Sequence, residues 1–353
     1  MVSDSPDSTT KAPLLEVHEL QTHFFTEDGV VKAVNGINLQ VYKGEILGLV
    51  GESGSGKSVT GLSILRLVDK PGEIVGGEIL FDGRSLLDLS DNEMVNLRGS
   101  QISMIFQQPL TSINPVLTLG SQISETLRVH NDMGKQESWD RAIELLRAVG
   151  IPDPERRAKS YPHEISGGQA QRVMIAMALA LNPVLLIADE PTTALDVTIQ
   201  AQILDLILNI TDQYDMSVIL VTHDLGVIAE MADRVSVMYA GHLVEQANVL
   251  DLFDRPLHPY TQGLIASVPV LGERKPRLEI IPGTVPKLID LPDYCRFASR
   301  CRARLEYKLS ICTESAPDMI ELEPGHYVRC WLYQSAENHE APLTIEMADS
   351  RPN

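Results

Sequence analysis

The sequence has few basic residues, no long apolar run and, for most of its length, no cysteine. It holds 29 lysines and arginines against 48 aspartates and glutamates, which gives a formal net charge of −19. A general nucleic-acid binder needs basic surface to displace phosphate counterions, so this charge argues against nucleic acid as a partner. The four cysteines, Cys295, Cys301, Cys312 and Cys330, all follow a stretch of 294 residues that contains none.

The shortage of apolar runs argues against a membrane span. The longest run, Val173 to Ala188, is interrupted at Asn182-Pro183 and predicts a buried helix followed by a buried strand. The polar residues 1–13 show no signal peptide and predict a disordered leader. A cytosolic chain is therefore expected, and cytosolic thiols are kept reduced, which weakens disulfides as the explanation of the cysteines.

The strongest local motif follows the apolar run Ile46 to Val50. Residues Gly51 to Ser58 match G-x-x-x-x-G-K-[ST] at every position, with an apolar helix pattern after them. Glycines let the loop turn its amides inward, and the helix dipole favours anionic phosphates. Lys57 is predicted to reach the β- and γ-phosphates and Ser58 to ligate Mg²⁺. The flanking strand and helix disfavour a mere Gly/Ser-rich turn.

A second acidic motif narrows the function. Asp189-Glu190 follows the apolar residues Val184 to Ile187, so a buried strand would deliver both carboxylates to one end of a sheet. Asp189 is predicted to hold Mg²⁺ through water, and Glu190 to polarise the attacking water. Residues 166–169, Ser-Gly-Gly-Gln, open another apolar helix whose terminus suits an anion. One phosphate loop seldom needs two such termini, so a dimer is predicted in which this terminus covers the partner's γ-phosphate.

The order of these motifs resembles the ATPase subunit of an ABC transporter. The resemblance implies an α/β fold, namely a P-loop NTPase nucleotide-binding domain with a RecA-like core, an antiparallel β subdomain and a helical subdomain. The signature of this family is usually written LSGGQ, and in this sequence Ile165 replaces its leucine. Gln107 matches the glutamine that senses Mg²⁺ and connects to the membrane subunits, Asp196 the dimer contact, and His223 the switch histidine at the γ-phosphate. Phe24 matches the aromatic that stacks on adenine, with Phe25 as the alternative.

Carried over position by position, the resemblance assigns the site residues. Catalysis falls to Glu190, His223 and Gln107, and Mg²⁺ to Ser58, Gln107 and Asp189. The implied nucleotide contacts are Phe24, Gly51, Glu52, Ser53, Gly54, Ser55, Gly56, Lys57, Ser58, Val59, Ser166, Gly167, Gly168, Gln169 and Asp196. Because Glu190 and His223 are present, a competent ATPase is expected rather than a module that holds ATP without turnover.

Further segments resemble the importer branch for dipeptides and oligopeptides. They are "MIFQQPLTSINPVLTLG", "ADEPTTALDVTIQAQIL", "HPYTQGLIASVP" and "IIPGTVPKL", and the resemblance covers roughly residues 14–332. It implies a motor at the cytoplasmic face of the membrane, with a second ATPase, two permease subunits and a solute-binding protein as partners. Relatives of the branch import peptides, nickel, glutathione or oligosaccharides, so the solute stays open. The glutamine in "GGQAQRV" leaves open which of two paired ATPase subunits this is.

A soluble ABC ATPase that acts on ribosomes or DNA, and not in transport, is the alternative from another class. Such proteins usually carry two cassettes or a long coiled-coil insertion, whereas this chain has one phosphate loop, no heptad array and an acidic charge.

The chain is predicted to divide into an ATPase domain and an extension. Residues 14–255 form the ATPase domain, with antiparallel strands near 14–41, a core strand at 101–106 and a helical subdomain at about 108–181. Seven prolines between positions 256 and 292 predict an irregular extension over 256–333, followed by a flexible tail at 334–353.

The cysteine spacing in this extension is C-x5-C-x10-C-x17-C. In a reducing compartment it allows zinc, an iron–sulfur cluster or four free buried thiols, because it matches neither the tight zinc pairs nor the ferredoxin runs. The family resemblance favours a [4Fe–4S] cluster on Cys295, Cys301, Cys312 and Cys330, structural or regulatory, with Zn²⁺ as the alternative. The resemblance therefore implies a small, irregular, metal-binding C-terminal extension.

Overall fold

The computed structural model describes residues 12–193, 195–268, 281–291 and 293–343. They form an α/β structure with two sheets. Its strands are β1 (Pro13–Thr26), β2 (Gly29–Tyr42), β3 (Ile46–Val50), β4 (Gly72–Phe81), β5 (Arg84–Ser85), β6 (Ile102–Ile105), β7 (Leu185–Asp189), β8 (Ser217–Thr222), β9 (Arg234–Tyr239), β10 (His242–Asn248), β11 (Ile320–Glu323) and β12 (His326–Val328).

The α-helices of these residues are α1 (Lys57–Ile64), α2 (Asp91–Leu97), α3 (Pro109–Ser112), α4 (Leu119–His130), α5 (Lys135–Ala148), α6 (Pro154–Arg157), α7 (Gly167–Ala178), α8 (Val197–Tyr214), α9 (Leu225–Met231), α10 (Val249–Asp254), α11 (Pro259–Ala266) and α12 (Arg302–Glu306). Two 3₁₀ turns lie at Pro162–Glu164 and Ser310–Thr313. Within the described ranges, no helix has the length and apolar character that a membrane crossing requires. The run Val173 to Ala188 holds the end of α7 and most of β7, which is the helix and strand that its pattern predicts.

The larger sheet positions the candidate site. Its strand order is β11-β12-β10-β9-β3-β8-β7-β6, and β6, β7, β8, β3 and β9 run parallel. Every residue of β3, β6, β7 and β8 is buried, which explains why their sequences are apolar runs rather than alternating patterns. The carboxyl ends of four neighbouring strands, β3, β8, β7 and β6, therefore meet at one edge of the sheet, where α/β folds bind ligands.

The smaller sheet is antiparallel, with strand order β2-β1-β4-β5. Strands β1 and β2 pair from Thr26 with Gly29 to Pro13 with Tyr42, which is the pair of antiparallel strands that the alternation near 14–41 predicts. Buried side chains of this sheet, such as Leu15 and Ile79, join Leu47 and Leu49 of β3 in one hydrophobic core. This core fixes the antiparallel sheet against one face of the larger sheet.

The C-terminal extension continues the larger sheet. Strand β12 pairs with β10, with Glu245 opposite Val328, so the β11–β12 hairpin forms the edge of the same sheet as the phosphate loop. Residues 293–343, together with Leu257, build a small separate core, and we call residues 293–343 the cysteine lobe. That core contains Leu257, Ala298, Leu309, Ile311, Cys312, Val328, Cys330, Trp331, Leu332, Tyr333 and Leu343.

Two predicted boundaries differ from the structure. The predicted leader ends at residue 13, but Pro13 already pairs with Tyr42 in the antiparallel sheet; residues 1–11 lie outside the described part of the chain. The predicted flexible tail begins at 334, yet Leu343 is buried and its amide donates to the Leu332 carbonyl at 3.1 Å. The apolar Leu343 side chain completes the core of the cysteine lobe, which holds 334–343 against it; residues 344–353 are not among those described.

Candidate functional site

The phosphate loop, Gly51–Ser58, turns tightly between β3 and α1. Gly51 and Gly56 have φ angles of 154° and 110°, which favour glycine. A Cβ atom at Gly51 would lie 2.1 Å from the Met238 carbonyl oxygen, and one at Gly56 would lie 2.3 Å from the Ala33 carbonyl oxygen. At these two motif positions, neighbouring backbone outside the loop leaves no room for a side chain, so glycine is required.

Lys57 and Ser58 begin the helix that follows the loop. The Lys57 Nζ donates to the carbonyl oxygens of Gly51 at 2.7 Å and Glu52 at 3.1 Å, so the ammonium lies inside the curve of the loop. Burial lowers its pKa, and the carboxylates of Glu190 and Asp189 oppose that shift. An ammonium held by carbonyl oxygens alone is ready to exchange them for phosphate oxygens.

Ser58 and Asp189 supply the oxygen atoms that suit a magnesium ion. The Ser58 hydroxyl donates to Asp189 Oδ1 at 3.0 Å, which joins the end of the phosphate loop to the end of β7. Burial raises the pKa of Asp189, while the bond from Ser58 opposes the shift. A hydroxyl and a carboxylate oxygen side by side fit the hard-oxygen preference of Mg²⁺, so these two residues are the candidates for holding it.

Three side chains converge on Glu190, the residue after β7. Its carboxylate accepts from Gln107 Nε2 at 2.8 Å and Thr193 Oγ1 at 2.7 Å, and Oε1 lies 3.2 Å from His223 Nδ1. Burial alone would raise the pKa of Glu190, but the bonds from Thr193 and His223 and the charge of Lys57 lower it. Its φ of 45° is a costly conformation for a glutamate, which the bond from its amide to the Val221 carbonyl at 2.8 Å helps to hold.

The three predicted catalytic residues are thus brought together around one carboxylate. Gln107, however, contacts Glu190 and not the Ser58–Asp189 pair with which the sequence groups it as a magnesium ligand. Thr193 was missed by the sequence reasoning. Its position three residues after Glu190, in a turn that returns the chain, is the signal that could have found it.

The signature residues 166–169 lie at the start of α7. The Ser166 hydroxyl accepts from the Gln169 amide and the Gln169 side chain accepts from the Ser166 amide, both at 3.3 Å, which is a capping box. Ser166 and Gly167 are exposed, and a Cβ on Gly168 would lie 3.1 Å from Ile199 of α8. Asp196 caps α8 and is also exposed. The signature and Asp196 therefore belong to one surface formed by two adjacent helix starts.

The other predicted nucleotide contacts lie in different surroundings. Ser53 and Gly54 are exposed at the tip of the loop, whereas Ser55 is buried with its hydroxyl unpartnered, and Val59 packs into the core between the sheets. Phe24 lies against Gly72 of β4, and Phe25 is 48% exposed.

Glu52 is the loop residue whose polar groups point to the C-terminal extension. Its amide donates to the Tyr260 hydroxyl at 2.8 Å, and its carboxylate accepts two bonds from Arg300 at 2.6 and 3.0 Å.

The four cysteines come together in the lobe as free thiols. Cys295 and Cys312 share a hydrogen bond, and the charge of a Cys295 thiolate would reach Cys301 and Cys330. The bond with Cys312 lowers the pKa of Cys295. Burial raises the pKa of Cys301 to about 11 and that of Cys330 well above its usual range. The pKa of Cys312 is also raised, chiefly by its bond with Cys295.

The predicted metal centre is not supported by this arrangement. Among the described residues, no group of three or more His, Cys, Asp or Glu side chains is positioned to hold a metal ion. Thiolates, not thiols, are the metal ligands, and the pKa values of three of the four thiols are raised in the arrangement described. The donor chemistry, four sulfurs, would suit a soft metal, but the described geometry is that of packed thiols.

Two family models match the chain. The ABC transporter model covers residues 34–193, and the oligopeptide/dipeptide transporter C-terminal region covers residues 244–307. The probable peptide ABC transporter ATP-binding protein y4tR of Sinorhizobium fredii is 54% identical over 90% of this chain and 94% of its own length. The oligopeptide transport ATP-binding proteins AppD and OppD of Bacillus subtilis are 50% and 51% identical over 91% and 94% of this chain, and 97% and 93% of their own lengths.

Solved structures agree with the fold. The dimeric ATP-binding cassette MJ0796, in a post-hydrolysis state bound to ADP and Pi, is similar with a TM-score of 0.61 and 30% identity, over 67% of this chain and 98% of that one. The geometry of the loop, the convergence on Glu190 and these relatives agree with one another. The chain belongs to the ATP-hydrolysing subunits of ABC transporters that carry an oligopeptide/dipeptide-type C-terminal region.

Proposed function

We propose that the chain is the motor subunit of a binding-protein-dependent importer for dipeptides or oligopeptides, attached peripherally to the cytoplasmic face of the membrane. The observation that carries the motor role is the convergence of Gln107, Thr193 and His223 on an ionised Glu190 beside the phosphate loop. Peptide as the solute is supported by the relatives, whose names assign them to peptide or oligopeptide transport.

The residues at the sheet edge divide the chemistry between them. Lys57 and the amides at the start of α1 would bind the phosphates, and Ser58 and Asp189 would hold Mg²⁺, which neutralises charge on the transferring phosphoryl group. Glu190 would accept a hydrogen bond from the attacking water. Its lowered pKa keeps it ionised at neutral pH, and His223 Nδ1, 3.2 Å away, lies where it can take part in that step.

A dimer is part of the proposal, because the signature of one chain would complete the site of another. The exposed helix starts at Ser166 and Asp196 support this, as does Val197, which is 83% exposed beside Asp196. We propose a second homologous ATPase as the partner. A surface with an exposed carboxylate and an exposed apolar side chain, and without a basic residue among those named, fits protein rather than nucleic acid.

The helical region after Gln107 offers a surface for the permease subunits. A groove with a volume of about 320 Å³ is lined by residues that include Leu117, Gln122, Val129 and Met177. Val116 and Val129, at 75% and 64% exposure, add apolar surface there. We propose that the permease subunits contact this groove, which lies in the helical region that follows Gln107 in the chain.

Uptake by cells that lack the gene tests the transport role and the solute together. Loss of labelled tripeptide uptake, restored by the wild-type chain and not by Glu190→Gln, is expected. Glu230→Gln, on an exposed position of α9, is the matched control and should restore uptake. Unchanged tripeptide uptake in the deletion strain would contradict peptide as the solute, and parallel assays with nickel, glutathione and oligosaccharides would identify another.

We also propose that the four thiols of the cysteine lobe take a soft metal centre, a [4Fe–4S] cluster or Zn²⁺, once they are deprotonated. The support is the meeting of four sulfurs and the lowered pKa of Cys295. Iron, sulfide and zinc are to be measured on anaerobically purified full-length protein, with Cys301→Ala as the comparison. Metal that is lost in the variant supports the proposal, and a metal-free wild-type protein would refute it.

A further inference from the structure

Arg300 of the cysteine lobe is bound to the phosphate loop. Both terminal nitrogens of its guanidinium donate to the Glu52 carboxylate: Nη1 to Oε2 at 2.6 Å and Nη2 to Oε1 at 3.0 Å. The two residues are 248 positions apart in the sequence. Arg300 is 6% exposed, whereas the Glu52 side chain is 30% exposed. Such a bidentate pair fixes orientation as well as charge.

The remaining donors of Arg300 hold it in place. Its Nε donates to the Pro282 carbonyl at 2.8 Å, Nη2 also to the Gly283 carbonyl at 3.3 Å, and Nη1 also to the Tyr239 hydroxyl at 3.4 Å. All five N–H donors of the guanidinium therefore have an acceptor. The guanidinium also lies over the rings of Tyr239 and Phe297, at 5.7 and 6.0 Å from their centroids.

Tyr260 makes a second contact to the same loop residue. This fully buried side chain packs against Tyr239 and Phe297, and its hydroxyl accepts from the Glu52 amide at 2.8 Å. Tyr260 lies in α11, and His258 caps the start of that helix: its side chain accepts from the Tyr260 amide at 3.0 Å. The His258-Pro259-Tyr260 segment thus has a physical task in this structure: it directs a hydroxyl to the first turn of the phosphate loop.

The charge of Glu52 matters to the nucleotide because the carboxylate is within electrostatic reach of Lys57. A bare carboxylate at this point would repel a triphosphate and compete for the Lys57 ammonium. Paired with Arg300, it contributes no net charge. The amide of Glu52 is taken by Tyr260, so the loop amides left for phosphates are those that follow it.

We propose that Arg300 and Tyr260 are positioning residues for ATP binding, by which the C-terminal extension neutralises Glu52 and fixes the first turn of the phosphate loop. The extension thereby forms part of the nucleotide site. The inference rests on ATP binding by this loop and is independent of the transported solute. An equilibrium binding measurement therefore separates its failure from that of the importer proposal.

The test is displacement of a fluorescent ATP analogue from the full-length chain by MgATP and by MgADP. Arg300→Met is expected to weaken MgATP binding about tenfold and MgADP binding less, because the repulsion from Glu52 grows with phosphate charge. Arg300→Lys keeps the charge without the planar fork and should lose less, about threefold for MgATP. Combining Arg300→Met with Glu52→Gln should recover most of the lost MgATP affinity, since the unpaired carboxylate is gone.

Arg329→Met is the matched control. Arg329 is also an arginine of the lobe and is half-buried, but the side-chain hydrogen bonds described for it go to the Leu243 and Pro317 carbonyls. It should lower the midpoint of thermal unfolding and leave nucleotide affinity unchanged. Equal loss of MgATP and MgADP affinity in Arg300→Met, with no recovery by Glu52→Gln, would show a merely structural role and overturn the proposal.

The single variant Glu52→Gln keeps the test decisive if Arg300→Met fails to fold. It leaves the positive charge of Arg300 beside the loop, so MgATP should bind severalfold more tightly. Weaker or unchanged MgATP binding in that variant would contradict the neutralisation of Glu52 by Arg300.

Discussion

The nucleotide site and the cysteine lobe both gather ionisable side chains, and they treat them in opposite ways. Around the phosphate loop each charged group is matched by contact: Lys57 by carbonyls, Asp189 by Ser58, Glu190 by three donors. In the lobe, three of the four thiols have raised pKa values and so stay neutral. The charged groups of the first region are held by hydrogen bonds, whereas these three thiols of the second region are neutral and pack against apolar side chains.

This difference explains why the two regions respond to different perturbations. A charge balanced by hydrogen bonds can change partners when a phosphate or a water arrives, because each contact is replaceable. A neutral thiol in an apolar cluster behaves as a small hydrophobe, and its contribution is to stability. Chemistry should therefore be lost by changes at Lys57, Asp189 or Glu190, and folding free energy by changes at the thiols of the lobe.

The largest effect is expected from Glu190→Gln. The amide has no negative charge with which to polarise water, so turnover of ATP should fall by at least about a hundredfold. Nucleotide binding and the unfolding midpoint should stay near those of the wild type. Steady-state hydrolysis and displacement titrations measure the two properties separately, with Glu230→Gln as the control. A variant that kept a tenth or more of the wild-type turnover would remove Glu190 from its proposed role.

A change at Cys330 tests the cysteine lobe, where we expect the thiols to contribute to stability. Cys330→Ser puts a hydroxyl among Trp331, Leu332 and their apolar neighbours, at a cost of about 1–3 kcal/mol in unfolding free energy. In metal-free protein, Cys330→Ala, which only removes the sulfur, should cost less, while both variants hydrolyse ATP normally. Denaturant titration and turnover assays provide the two measurements. If alanine were as damaging as serine, packing would not be the role of this thiol, and ligation of a metal would gain support.

The smallest expected effect is a dependence of the unfolding free energy on pH through His258, which accepts a hydrogen bond from the Tyr260 amide. Burial lowers the pKa of His258 to about 3, well below its ordinary 6.5. An unfolded chain would bind a proton there near pH 6.5, so this contribution to stability is full above pH 6.5. It is lost as the pH falls, by at most about 1.4 kcal/mol per pH unit.

The measurement is the free energy of unfolding between about pH 7.5 and 5. His258→Gln keeps an acceptor for the Tyr260 amide and has no proton to gain, so its stability should depend less steeply on pH. His242, whose pKa burial also lowers, would account for part of the slope that remains. Identical slopes for the wild type and the variant would contradict the neutral, buried state of His258.

Sequence reasoning succeeded where a motif and its strand are adjacent in the chain. The loop after β3 and the carboxylates at the end of β7 follow from local patterns, because parallel strands place their carboxyl ends at one edge. For Gln107 the structure adds a contact that the sequence did not predict, since the choice between Glu190 and Asp189 as its neighbour depends on how β6 lies beside β7; its role as a magnesium ligand stays a prediction. The predicted start of the flexible tail at 334 differs from the structure because Leu343 packs into the core of the cysteine lobe, and no local pattern around Leu343 indicates that contact.

Local sequence patterns were enough to predict the α/β class, the nucleotide loop and the strand that ends at Asp189, because spacing within a few residues fixes turns, helix starts and strand ends. The joining of the extension to the main sheet at β10, and the contacts of Arg300 and Tyr260 with Glu52, depend instead on long-range packing. The tertiary structure also decided that the thiols meet in a largely neutral cluster. Contacts across more than two hundred residues depend on how whole elements pack, and a single sequence carries no local signal of that.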